Sequence, residues 1–142
     1  MYDHILLPTD GSEGMATVVD HARQLAEVHG ATLHVLFVAN TTALSDLPLE
    51  SSWEGVSSAL RKQGQQATDA ALEQIGDVAT ETAVVDGSPS KEIVNYAEQN
   101  DCDVIVMGTH GRSGVDRLLL GSVAGRVVRS APVPVMTVRV SE

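Results

Sequence analysis

Residues 103–107, Asp-Val-Ile-Val-Met, form an almost unbroken apolar run that ends at Gly108. A strand with one face in water alternates apolar and polar residues. This one does not, so it needs cover on both faces, as the central strand of a parallel sheet has. Parallel neighbours cannot be joined by tight hairpins and need crossover connections, usually helices. The chain supplies both parts in alternation.

Residues 4–8, His-Ile-Leu-Leu-Pro, read as a first strand, broken by Thr9-Asp10-Gly11-Ser12. Met15, Val18, Val19, Ala22, Leu25 and Ala26 then recur at helical spacing, and Gly30 closes that helix as a left-handed cap. Residues 32–39 are a second strand. Residues 40–52, polar and containing Pro48, read as one long loop. Leu60, Ala67, Ala71 and Ile75 mark a second helix, closed by Gly76-Asp77. Residues 79–85 give a third strand, and Asp86-Gly87-Ser88-Pro89 turns the chain. Ser88 is placed to cap a third helix, with Pro89 at its first position and Ile93, Val94 and Ala97 inward. After the glycine-rich stretch 108–120, a last helix starts near Gly121-Ser122 and sends Ala124, Val127, Val128 and Ala131 inward. Pro132 and Pro134 end it, and residues 135–140 form a fifth strand. The pattern predicts an α/β three-layer sandwich on a parallel sheet, one domain over residues 1–142.

Composition narrows the function classes. Nineteen acidic residues against nine basic ones give a formal net charge of −10, which repels nucleic acid and anionic membrane surfaces. The bases are seven arginines and only Lys62 and Lys91, a balance that suits high salt as well as an ordinary acidic cytosol. No apolar run approaches the roughly 18 residues that span a bilayer. The start, Met1-Tyr2-Asp3-His4, does not resemble a secretory signal. Cys102 is the only cysteine, so neither an internal disulfide nor a multi-cysteine metal site is available. The histidines His4, His21, His29 and His34 lack metal-ligand spacing, and no metal is expected to be held by side chains alone. A cytoplasmic protein is the expectation.

In open parallel sheets, ligands bind beyond the C-terminal ends of the strands, where the strand order reverses. The loops after the first and fourth strands are therefore the ones to read. The second runs Gly108-Thr109-His110-Gly111-Arg112-Ser113-Gly114 and continues to Leu119-Leu120-Gly121-Ser122-Val123. Glycines let backbone approach a ligand closely, and a helix start offers free N–H groups to an anion. Four of the seven arginines (Arg112, Arg117, Arg126, Arg129) fall between Gly108 and Arg129, with Asp116 the one acid. The same features also describe a glycine-rich turn with solvated arginines. No GxxxxGK[ST] and no GxGxxG after the first strand is present, and no GxSxG elbow supports a hydrolase triad.

The spacing Gly108, two residues, Gly111, nine residues, Gly121-Ser122 resembles the nucleotide motif of the universal stress protein family. The resemblance covers the whole chain. It includes His4-Ile-Leu-Leu-Pro-Thr-Asp-Gly-Ser at the start, Leu33-His34-Val35, Asp86-Gly87-Ser88-Pro89, and Ala131-Pro132-Val133-Pro134-Val135 at the close. It implies a Rossmann-like, adenine nucleotide alpha hydrolase-like sheet of five parallel strands in the order 3-2-1-4-5. The intact motif implies the branch of the family that binds ATP, with magnesium as a possible companion. Gly125 stands where a larger residue is commoner in the family, and should weaken the last helix by roughly 1 kcal/mol.

By that resemblance, Pro8, Thr9 and Asp10 line the nucleotide's edge. Asp10 lies near the ribose or a phosphate-bound metal, or it caps the first helix with Glu13 completing a capping box. Val35 corresponds to the position whose backbone meets the adenine; its side chain equally suits the core. Met107 packs near base or ribose, or is core. Gly108, Gly111, Gly121, Ser122 and Val123 contact phosphate and ribose, mostly through backbone N–H. His110 and Arg112 sit in the loop, to steer phosphate or simply to face solvent. Three functions stay open: an ATP-binding regulatory or stress-response protein, a weak ATPase, and a dimeric scaffold with an unused site. Against catalysis, Asp10 is the only candidate base. The last strand, apolar on one face and guarded only by Arg139, is expected to pair two copies into a homodimer, and Val138→Pro to disrupt that pairing.

Overall fold

A computed structural model describes residues 1–42, 50–110 and 120–140. The elements run β1 (His4–Pro8), α1 (Met15–His29), β2 (Thr32–Asn40), α2 (Glu50–Ile75), β3 (Thr80–Gly87), α3 (Pro89–Gln99), β4 (Val104–Gly108), α4 (Ser122–Ser130) and β5 (Val135–Val138). All four strand pairings are parallel, in the order β3-β2-β1-β4-β5. The strand order reverses between β1 and β4, as the sequence predicts.

Side chains alternate across each strand, so each strand feeds both faces. Ile5, Leu7, Leu33, Val35, Val104 and Val106 pack with α1 and the end of α2. Leu6, Leu36, Ile105 and Met107 pack with α3 and α4. Residues 104–107 of β4 are all buried, which satisfies the double cover that the apolar run required. Phe37, Ala39 and Ala67 form a small third cluster. There α2 comes very close: a Cβ on Gly64 would lie 2.6 Å from Phe37 and 2.9 Å from Val84.

Several boundaries differ from the sequence reading. β2 includes Asn40 and α2 already includes residues 50–52, so the expected 40–52 loop is shorter by four; residues 43–49 lie outside the described set. β3 continues to Gly87, because Asp86 and Gly87 still pair with Ala39 and Asn40. Ser88 does precede α3, with Pro89 first in the helix, but its side chain makes no capping bond. Gly30 takes the expected left-handed cap, φ 66° and ψ 34°. α4 buries Ala124 and Val127, whereas Val128 is 45% exposed. One residue beyond Val127 turns the side chain about 100° around the helix, off the inner stripe. β5 stops at Val138 rather than at residue 140.

The register also fixes which backbone groups of β5 face outward. Ile105 N–H donates to Pro134 O, and Thr109 N–H to Val138 O. With period two, Pro134 directs its C=O, and Met136 and Val138 their N–H and C=O, to β4, while Val135, Thr137 and Arg139 direct theirs to the open edge. Val138→Pro would therefore strike the internal ladder, and Thr137 is the edge position to alter.

Among the described residues nothing requires Gly125 to be glycine. A Cβ there would meet the Arg129 guanidinium at 3.6 Å, an ordinary contact. Gly125→Ala should raise stability by about 0.5–1 kcal/mol, seen as a melting temperature higher by about 2–4 °C. An unchanged or lower melting temperature would contradict this.

The N-terminal end of the sheet holds a buried polar chain. His34, 3% exposed, bonds through Nε2 to His4 Nδ1 at 3.0 Å and through Nδ1 to the Tyr96 hydroxyl at 2.9 Å. Burial pushes the His34 pKa below its usual value; Glu81 opposes this and His4 adds to it. Folding thus favours neutral His34. Its contribution is complete above the unfolded value near 6.5 and is lost as pH falls below it. Nearby Asp103 accepts bonds from the Asp3 and His4 N–H groups, which lower its pKa, so its own contribution fades only in the acid range below 4. The urea midpoint should fall between pH 7.5 and 5.5, and less steeply in His34→Gln. Parallel slopes for the two proteins would overturn the assignment.

Candidate functional site

β1 and β4 lie side by side and end together at the switch point. From β1, Pro8 and Thr9 are buried and Asp10 is half-buried. Thr9 N–H extends the sheet by one bond to Leu36 O, 2.8 Å. The side chains then fold the loop back on itself. Thr9 Oγ1 accepts from Gly11 N–H at 3.1 Å, and Asp10 Oδ1 accepts from Ser12 N–H at 2.9 Å. α1 begins only at Met15, with Gly14 at the cap position. Asp10 is therefore not the helix cap, and the capping box with Glu13 does not form. It shapes the loop as an Asx turn.

From β4, Gly108 ends the strand and Thr109 becomes a junction. Its N–H donates to Val138 O at 3.0 Å, and its C=O accepts from Gly121 N–H at 2.7 Å. Its Oγ1 accepts from Val140 N–H at 3.4 Å and contacts His110 Nδ1 at 3.1 Å. One residue thus ties the end of β4 to β5 and to the start of α4. Sequence reading missed Thr109, because its part is played mainly by backbone groups that any residue carries.

The start of α4 supplies donors. Gly125 N–H to Gly121 O, 2.8 Å, is the first intrahelical bond. The N–H groups of Ser122, Val123 and Ala124 thus have no intrahelical partner, and the helix dipole adds positive potential there. Gly121 was expected to offer its own N–H; that group is taken by Thr109. Arg126 and Arg129 lie in the later turns of α4, with Arg129 in the last turn, so they do not crown this helix start. Gly111, Arg112 and Arg117 lie outside the described residues.

Met107 takes its core alternative, and Val35 lies in mid-strand. Met107 is 6% exposed within the α3/α4 core. Val35 is fully buried in mid-β2, paired to Leu7 on one side and Thr82 on the other. Neither its side chain nor its backbone faces the ends of the strands. Val38 does. Leu36, the partner of Pro8, is the last β2 residue paired with β1, and its C=O points that way. Two residues on, the N–H and C=O of Val38 point the same way, past the end of β1. A groove of about 290 Å³ opens below the Thr9–Glu13 loop, between α1 and α2, edged by Gln63, Gln66 and Gln74.

An open parallel sheet whose strand order reverses at β1 and β4, with helices on both faces and the start of α4 beside that reversal, defines a doubly wound α/β protein. The model described as Universal stress protein family matches residues 1–139, and the chain belongs to that family. Universal stress protein MJ0531 of Methanocaldococcus jannaschii is 38% identical over 98% of this chain and 83% of its own length. A universal stress protein of Methanothermobacter thermautotrophicus is 35% identical over 98% and 97%. Among solved structures, MJ0577, described as a hypothetical protein in a test case of structural genomics, superposes with a TM-score of 0.88 at 27% identity, over 100% and 99% of the two chains. A universal stress protein solved in complex with cAMP superposes with a TM-score of 0.71 at 26% identity, over 99% and 98%. Among the described residues, no helix is long and apolar enough to cross a membrane.

Proposed function

We propose that the chain binds an adenine nucleotide, ATP foremost, in the β1/β4 crevice, and acts as a cytoplasmic, nucleotide-dependent regulatory protein. The observation that carries this reading is the free start of α4, held against the end of β4 by the 2.7 Å Gly121–Thr109 bond. Phosphates sit at the Ser122, Val123 and Ala124 N–H groups, with Gly108 beside them; Gly111 and Arg112 are assigned to the phosphates by the family motif alone. Thr9 and Asp10 face the ribose or a phosphate-bound magnesium. The adenine edge pairs with the Val38 backbone, which presents one donor and one acceptor. A relative captured with cAMP is in keeping with an adenine ligand.

Turnover is slow or absent in this reading, since Asp10 is already engaged in shaping its loop and His110 is turned to Thr109 Oγ1. The test is mass analysis of small molecules released from the purified, denatured protein, followed by calorimetry with ATP, ADP and cAMP. Retained or titrating ATP supports the proposal; release of ADP from added ATP favours a weak ATPase; no nucleotide in either experiment overturns both.

Asp10→Asn separates the carboxylate's charge from its shape. Asparagine keeps an oxygen to accept from Ser12 N–H, so the loop should survive. Affinity for ATP with magnesium should fall about tenfold, or ~1.4 kcal/mol, with little loss when magnesium is omitted. Unchanged affinity in both conditions would confine Asp10 to the turn.

A further inference from the structure

Gly14 stands at the entrance of α1 with φ −63° and ψ −16°, ordinary right-handed backbone that any residue adopts. Glycine is favoured over alanine at a cap whose backbone is extended, and here the backbone is helical, so conformation does not require the glycine. Space does. A Cβ on Gly14 would lie 2.0 Å from Val140 Cγ1, a distance that forces movement. On the opposite side, a Cβ on Gly108 would lie 2.9 Å from Val140 Cγ2 and 3.3 Å from Val18 Cγ2. Val140 thus fills a notch between two glycines, one on the β1–α1 connection and one at the end of β4. Its N–H reaches Thr109 Oγ1 at 3.4 Å.

We propose that Val140 is a strap residue, and Gly14 its receptor, whose seating positions the Gly108–Thr109 corner and, through it, the start of α4 for nucleotide binding. The inference rests on the nucleotide reading above. Valine suits the part: a β-branched side chain has one stiff torsion and cannot swing its methyls aside. If the notch is filled from the other side, the segment after β5 must lift. Lifting it removes a bond from Thr109, whose carbonyl holds Gly121.

The test uses the full chain and ATP calorimetry, with amide exchange of the nucleotide-free protein as a second readout. Gly14→Ala should lower ATP affinity at least about tenfold, a shift well beyond additive noise. It should also speed exchange at the Thr109 and Gly121 amides. Val140→Ala added to Gly14→Ala should restore both, because it removes Cγ1 and leaves Val140 Cβ at 3.4 Å, ordinary contact. A purely structural notch would lower the melting temperature with affinity unchanged. Should Gly14→Ala fail to fold, Thr109→Val removes only the hydroxyl acceptor, and Thr109→Ser restores it. The valine variant should bind ATP more weakly and the serine variant like the native chain. Equal ATP affinity in native, Gly14→Ala and Thr109→Val proteins overturns this proposal alone. Failure of the native chain to bind ATP overturns the nucleotide reading itself.

Discussion

Gly121→Val is expected to abolish measurable ATP binding while leaving the fold standing. Gly121 has φ −61° and ψ 163°, extended backbone that valine adopts freely. Its N–H bond to Thr109 O and its C=O bond from Gly125 use main-chain atoms that the substitution keeps. The change therefore spares the junction and adds bulk at the mouth of α4, where phosphate must come within hydrogen-bond reach of the Ser122 to Ala124 N–H groups. Losing close approach to a helix start removes several charge-assisted bonds together, so a loss of at least about a hundredfold in affinity, ~2.7 kcal/mol, is expected. Gly121→Ala should fall between. Calorimetry checks this, with the melting temperature as control. Equal heats for native protein and Gly121→Val would place the phosphates elsewhere.

The sheet was legible because burial leaves a periodic trace. The apolar run at 104–107 required cover on both faces and has it. The helical stripes of α1 and α3 named most of their buried residues, but Val94, expected inward, is only half-buried and Leu25 packs at the core's margin. Strand ends were harder, since they are set by partners. β3 runs to Gly87 only because β2 offers Asn40 opposite it, and no feature of Asp86-Gly87 by itself distinguishes a strand end from a turn. Likewise Val128 is apolar and helical, and only the position of its neighbours shows that it misses the core.

The candidate site was legible where it depends on glycine and proline, residues whose type carries geometry. It was not legible where it depends on backbone direction. Val35 and Val38 look alike in sequence, and both lie in β2. What separates them is that β1 ends opposite Leu36, a fact of register. Thr109 was passed over for the same reason. The Gly14–Val140 contact joins residues 126 positions apart, and no local pattern announces it.

The same register decides how a pairing of two copies must be tested. We infer that two copies pair through β5, edge to edge across a two-fold axis, because this strand has β4 on one side only. Met136 is 39% exposed on β5, so the edge carries apolar surface that water does not favour. Val135, Thr137 and Arg139 direct their backbone groups outward. Thr137→Pro removes an outward donor and adds a ring where a partner strand would lie. Its missing N–H costs the internal ladder nothing, as edge prolines show. The expected result is a protein with native circular dichroism that sediments as the 15.0 kDa chain at concentrations where the native protein sediments at twice that mass. Val138→Pro should behave differently, losing stability outright, because the Val138 backbone belongs to the β4 ladder that holds Thr109. A native protein that stays monomeric at high micromolar concentration, in both low and molar salt, would sink the dimer. So would a Thr137→Pro protein that still sediments as a pair.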